Sequence, residues 1–233
     1  MNVNKNCIEE RYTSFYTRKQ YKRVYPTEFV VRIFLAEYPS LFFRKPKKGD
    51  SVLDIGFGDG RNTALLCDQG LDVCGIELSE EIVTTAHSRL NLMGHRPDLR
   101  TGRNSSIPFP DEKFDYILAC HSCYYCDENQ TIDDNLREYQ RVLNPGGWVV
   151  ASVPDANSYI FNGSKKLSDG TSRIEGDPYN NRNGYRLHGF ESIDEILRSF
   201  SPYFTDFSFG TAQNNYFGID ERVFWVVCKK PIK

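Results

Sequence analysis

Val52-Leu-Asp-Ile-Gly-Phe-Gly-Asp-Gly-Arg-Asn-Thr63 is the stretch whose reading decides the fold. Ser51 to Ile55 is a short apolar run suited to a buried parallel strand, and Arg61 to Gln69 carries Ala64, Leu65 and Cys67 at helical spacing. Gly56, Gly58 and Gly60 sit at the junction, where the missing Cβ atoms let the backbone turn sharply and let a ligand approach it. This predicts a nucleotide-type cradle between strand and helix. A dinucleotide fingerprint would place its third glycine at position 61, which is arginine. Asp54 ends the strand and Asp59 lies inside the loop, so a pyrophosphate would meet two carboxylates where it needs bare amide donors. A ligand with a cationic amino group and a sulfonium suits that field.

S-adenosylmethionine has both groups. With its acidic strand end followed by Gly-x-Gly-x-Gly, the chain resembles the class I S-adenosylmethionine-dependent methyltransferases. A second landmark agrees with the first. The strand-like run Leu71 to Ile76 ends in Glu77, followed by Leu78 and Ser79. A carboxylate there, about 20 residues past the glycines, can accept hydrogen bonds from both ribose hydroxyls. The structural alternative is that Glu77, with Glu80 and Glu81, only favours the start of the next helix, with Ser79 as its cap. Gly102-Arg-Asn-Ser-Ser-Ile-Pro-Phe109 is similar to the family's adenine-binding turn, but the usual acid aligns with Arg103, which is donor-only. Asn104 can accept through its amide oxygen, so that role passes to Asn104. The apolar strand Phe114 to Cys120 and the turn Asn144-Pro-Gly-Gly147 before the strand Trp148 to Val153 complete the resemblance.

The resemblance implies an α/β, Rossmann-like methyltransferase fold: a mostly parallel seven-stranded sheet, helices on both faces, and one antiparallel strand near the C-terminus. It implies S-adenosylmethionine held by Asp54, Gly56, Gly58, Gly60, Glu77, Leu78, Asn104, Ser105 and Cys120. The plan is one domain over 1–233: an N-terminal helical cap over 1–48, a cofactor core over 49–153, an insertion over 154–187, and a C-terminal helix and strands over 188–233. In the cap, Tyr12, Phe15, Tyr16, Tyr21 and Tyr25 either pack a helix on the sheet or line the active site. Phe29, Val30, Ile33 and Phe34 predict a core-facing helix that Pro39 stops. Thr131, with Asp134, predicts another helix start. The third strand is expected near Leu99 to Gly102, and the final pair over Phe204 to Phe209 and Val223 to Cys228.

Composition sets the remaining bounds. The 233 residues suffice for one sizeable core, and 39% hydrophobic residues with a net charge of -2 give no basic excess for nucleic acid. No apolar run reaches membrane-span length, and seven cysteines, an odd number, suggest reduced thiols in a cytoplasm. Cys120, Cys123 and Cys126 form Cys-x-x-Cys-x-x-Cys, but the radical-enzyme spacing and a fourth cluster ligand are both missing, so no metal is assigned.

Methyl transfer needs a positioned nucleophile, and a hydroxyl or ammonium acceptor also needs its proton removed. His121 follows the fourth strand and His188 follows the insertion, so each is a candidate base or acceptor-orienting group, against a purely structural role. Tyr124, Tyr125 and Asp155 are weaker candidates. The insertion reads as structureless, either a substrate lid or a surface loop, and carries Lys165, Lys166, Arg173, Arg182 and Arg186. These bases favour a small anionic acceptor, such as a phosphorylated or nucleotide-linked sugar of surface-glycan synthesis. The rivals are a cofactor-binding regulatory or scaffold protein without catalysis, a nicotinamide-dependent dehydrogenase disfavoured by Arg61 and the acidic loop, and a nucleic-acid methyltransferase lacking a phosphate-binding face.

Overall fold

The structure, a computed structural model, describes residues 5–17 and 24–232; Tyr21 lies outside the described residues. The chain begins with α1 (Lys5–Thr17) and α2 (Glu28–Leu35). The glycine loop joins β1 (Ser51–Ile55) to α3 (Arg61–Asp68), followed by β2 (Asp72–Glu77), α4 (Glu80–Leu92), β3 (Asp98–Thr101) and β4 (Phe114–Ala119). A short strand β5 (Tyr125–Cys126) precedes α5 (Ile132–Val142) and β6 (Leu143–Pro154). Then come β7 (Lys165–Lys166), β8 (Ser172–Arg173), β9 (Arg186–Leu187), α6 (Ile193–Phe200), β10 (Thr205–Tyr216) and β11 (Ile219–Lys229).

Among the described residues seven strands form the main sheet, in the order β10-β11-β6-β4-β1-β2-β3. β1 to β4 and β6 are parallel, while β11 runs antiparallel to both β6 and β10. This is the Rossmann-like sheet with one antiparallel member that the sequence implied. Strand periodicity distributes the core over two faces. Val52, Tyr116, Leu118 and Val150 meet Phe29, Val30 and Ile33 of α2 and Leu66 of α3. Leu53, Ile117 and Val149 meet Leu136 and Tyr139 of α5 and Phe200 of α6. Each fully buried aliphatic side chain contributes roughly 1.5 to 3 kcal/mol. The chain runs outward from β1 to β3 and then crosses back to β4, so the strand order reverses between β1 and β4. Their carboxyl ends open the crevice where such sheets bind ligands.

Local signals set most helix ends. Ser79 caps α4 by accepting from the Ile82 amide, and Thr131 and Asp134 form a reciprocal capping box at α5. β3 begins one residue earlier than expected, and β10 and β11 are longer, because their hairpin continues past the last pairing with β6. The insertion departs most from expectation, since it is not structureless. Together with β5 it builds a second sheet, β5-β9-β8-β7. Ile160, Ile174 and Leu187 anchor it in the main core, and Asp177 accepts from the amides of Tyr179, Asn181 and Arg182. Scattered polar residues masked these few anchors in the sequence.

Candidate active site

The glycine loop leaves β1 directly at the crevice. Gly56, Gly58 and Gly60 all have positive φ, and the Gly56 amide bonds the Ile76 carbonyl at the end of β2, which ties the loop to its neighbouring strand. A Cβ on Gly56 would stand 2.8 Å from the Ser122 Cβ. The Gly56→Ala variant is expected to lose about 2 kcal/mol or more, from left-handed backbone and overpacking together, read as a lower urea midpoint.

One arm of the crevice lies over β2 and is lined by Glu77, Leu78, Asn104, Ser122, Asp127 and Tyr185, among others. Glu77 is buried, with Oε2 accepting from the Leu78 amide at 2.5 Å and Oε1 from the Gly58 amide at 3.2 Å. The Tyr12 hydroxyl donates to Oε1 at 3.4 Å, so α1 closes over this carboxylate. Burial pushes the Glu77 carboxyl up to about 7 despite these donors. Arg103 is ion-paired with Glu9 of α1 and with Asp127. Asn104 accepts from the Tyr139 hydroxyl at 2.8 Å and donates to the carbonyls of Ser122 and Tyr125. Ser105 is not in the lining; its hydroxyl donates to Asp127 at 3.3 Å.

The second arm, a cavity of about 260 Å³, runs from the loop past the end of β4 to β6 and β11. Cys120, His121, Tyr124, Tyr159, Arg182 and Glu221 are in its wall. Cys120 shares a contact of 3.3 Å with the Thr27 hydroxyl, and burial pushes its thiol up to about 11. His121 holds φ of 55° while its amide donates to Ser152 at 2.8 Å. A non-glycine residue fixed in that region marks a site where surrounding structure dictates geometry. Burial, with Arg182 nearby, pulls the His121 imidazole down to about 4, so it is neutral at pH 7.

Two candidates sit elsewhere than the sequence suggested. Asp54 belongs to neither arm: strand alternation turns it onto the α3 face, where it accepts from Thr63 at 2.7 Å. Burial pushes its carboxyl up to about 7, partly offset by Thr63. Asp59 is paired with Arg61 (Nε to Oδ1, 2.8 Å), and although burial opposes its charge, Arg61 and Arg89 hold it below the usual range. The acidic field on the crevice therefore comes from Glu77 and Glu221, with Asp59 largely neutralised. His188 also lies outside both arms, with its ring 4.6 Å from that of Phe190 and Nε2 3.7 Å from Glu195. Of the insertion's five bases only Arg182 faces the crevice. Lys165 and Lys166 are exposed, Arg173 pairs with Glu128, and the buried Arg186 pairs with Asp169.

Sequence reasoning passed over Asp127 and Glu221, which carry no motif. The four-residue spacing of Tyr12 and Tyr16 on α1 did signal one shared face, and both line the crevice. Cys120, Cys123 and Cys126 have separate surroundings; Cys126 contacts the Tyr124 carbonyl at 3.7 Å. Among the described residues no three His, Cys, Asp or Glu side chains converge as a metal-binding set.

Residues 53–151, the stretch from β1 to β6 that builds this crevice, match the methyltransferase-domain family. Over this stretch the chain is similar to the class I S-adenosylmethionine-dependent methyltransferases. It is 35% identical over 103 residues to a demethylmenaquinone methyltransferase of Tropheryma whipplei, covering 44% of this chain and 41% of that one. It is 29% identical over 109 residues to a ubiquinone biosynthesis O-methyltransferase of Azorhizobium caulinodans, covering 47% and 42%. The chain thus spans less than half the length of these curated relatives. In fold it is similar to a crystal structure of a methyltransferase from Methanosarcina mazei, with a TM-score of 0.65, 19% identity, and coverage of 85% of this chain and 100% of that one.

The crevice of this chain fits S-adenosylmethionine. Ser122 Oγ and Tyr185 Oη are buried without a hydrogen-bond partner and both belong to residues lining the arm over β2, which offers polar atoms to a nucleoside. Gly56 lines both arms and sits where they meet.

Proposed function

We propose that the protein transfers a methyl group from S-adenosylmethionine to a small polar acceptor bound beside His121 and Arg182. The observation that carries this reading is the junction at Gly56, where an arm ending in Glu77 meets a second arm lined by His121 and Arg182. Bound S-adenosylmethionine supplies an activated methyl group. Glu77 would take the ribose hydroxyls, Asn104 and Asp127 would offer acceptors to the adenine amino group, and the loop and Cys120 would border the methionine end. Leu78 would lie along the base. Asp54 would hold the loop from beneath through Thr63, and Ser105 would orient Asp127.

On the acceptor side, the neutral His121 imidazole can accept a hydrogen bond and so orient the nucleophile. A group pulled down to about 4 is a weak base, so positioning dominates its role. His121→Ala is expected to lower turnover by about tenfold to a hundredfold while S-adenosylhomocysteine affinity stays within about twofold. His188 lines neither arm, and His188→Ala is expected to lower the unfolding midpoint and leave turnover nearly unchanged. The reverse pattern would transfer the role to His188.

Arg182 supports an anionic acceptor, of which a phosphorylated or nucleotide-linked sugar is one form. The insertion would act as the wall of this site, within one domain over 1–233. The acceptor arm, a cavity of about 260 Å³, favours a small molecule over nucleic acid. Seven unpaired thiols favour a reducing, cytoplasmic setting. Among the described residues no helix is long and apolar enough to cross a membrane. Calorimetric titration with S-adenosylmethionine and S-adenosylhomocysteine tests the reading. Binding of both is expected; binding of neither would sink it.

A further inference from the structure

The acceptor arm contains one cation and one anion whose hydrogen-bonding capacity the fold leaves open. Arg182 donates from Nε to the Tyr125 hydroxyl at 3.0 Å and from Nη1 to the Tyr159 hydroxyl at 3.4 Å, while Nη2 makes no hydrogen bond among the described residues. Its carboxylate neighbour Asp177 is 3.8 Å away and already accepts from three backbone amides. The two tyrosines carry no charge to balance the guanidinium, because burial holds both above their usual range. Glu221, half-buried on β11, lines the same arm, and no described residue hydrogen-bonds or ion-pairs its carboxylate. Arg182 and Glu221 influence one another through space without making an ion pair with each other.

An anion alone would satisfy Arg182 and be repelled by Glu221, and a cation alone would do the opposite. Partly desolvated charges of either sign favour a ligand that supplies the missing partner. The aromatic walls, with Tyr16, Tyr124 and Tyr159, add faces that attract an ammonium. Resting on the methyltransferase reading above, we infer that the acceptor is a small zwitterion, carrying an amine held by Glu221 and an anionic group held by Arg182. Neither group belongs to the stretch from 53 to 151 that the family match covers. The specificity is built by the insertion and the last hairpin.

The test is calorimetric titration of the protein saturated with S-adenosylhomocysteine. The probes are ω-aminoalkyl phosphates of two to four carbons, alkyl phosphates of the same lengths, and the matching alkylamines. At least one aminoalkyl phosphate is expected to bind about tenfold or more tightly than either of its single-charge counterparts. Arg182→Ala and Glu221→Gln are each expected to weaken that binding by about tenfold or more, with S-adenosylhomocysteine affinity within about twofold, and Arg182→Lys should restore part of it. Equal binding by a single-charge probe, or no binding by any aminoalkyl phosphate, overturns the inference. So does loss of S-adenosylhomocysteine binding in folded variants, since the two residues would then hold the cofactor's own amino-acid end. If Arg182→Ala fails to fold, the probe comparison on the wild type decides alone. Failure of the wild type to bind S-adenosylhomocysteine overturns the underlying reading instead, which separates the two failures.

Discussion

Glu77→Ala is expected to weaken S-adenosylhomocysteine binding by at least about a hundredfold in a calorimetric titration. Two charge-assisted hydrogen bonds to the ribose, at about 1.5 to 3 kcal/mol each, sum to about 3 kcal/mol or more. The variant also strips the Gly58 and Leu78 amides of their acceptor, so the glycine loop keeps its backbone bond from Gly56 to Ile76 but loses its second tie to β2. The Tyr12 hydroxyl loses its partner as well, which loosens α1 over the crevice. An affinity within about fivefold of the wild type, in a folded variant, would remove Glu77 from the ribose site and leave only its structural role.

The same carboxylate makes affinity depend on pH. In the free protein burial pushes Glu77 up to about 7, so below that pH it is largely protonated. Ribose hydroxyls donate to the carboxylate, and binding therefore expels a proton. Affinity is expected to rise about tenfold per pH unit from about pH 5 to 7 and to level off above. The stability of the free protein has the opposite sign. A carboxyl raised from its ordinary value of 4.5 favours the folded state most at low pH, and that contribution fades as pH climbs through about 7. Asp54, also raised to about 7, adds a second such contribution. Glu77→Gln should therefore flatten the affinity profile but only reduce the stability slope. Titrations across pH 5 to 8, in buffers of different ionisation enthalpy, measure the affinity and the released proton together. A flat wild-type profile would count against proton-linked binding at Glu77.

The parts of the fold that were legible in sequence are those fixed within one or two turns of chain. The glycine loop, the carboxylate closing β2 and the Thr131-Asp134 cap all depend on neighbours close in sequence. Residues whose role depends on strand alternation or distant partners read less well. Asp54 resembles a cofactor ligand at a strand end, yet the two-residue period turns it toward Thr63. His188 follows the insertion as a catalytic residue would, but β9 pairs with β5 and its ring is directed to Phe190. Five bases in the insertion look alike in a string of letters. Exposure and pairing with Glu128 and Asp169 leave Arg182 alone at the crevice.

By itself, then, the sequence determined the layered α/β class, the position of the crevice at the end of β1, and the kind of cofactor. Glycine geometry, hydrophobic period and a charge at a strand end act through local stereochemistry that the order of residues encodes directly. Only the tertiary structure decided what lines the second arm of the crevice. Arg182 reaches the cavity from a loop held by Asp177, Glu221 from a strand almost forty residues further on, and His121 from a left-handed residue pinned by Ser152. Their convergence results from packing one small sheet against another. No local pattern records it, because the free energy that brings them together belongs to the buried core rather than to the residues themselves.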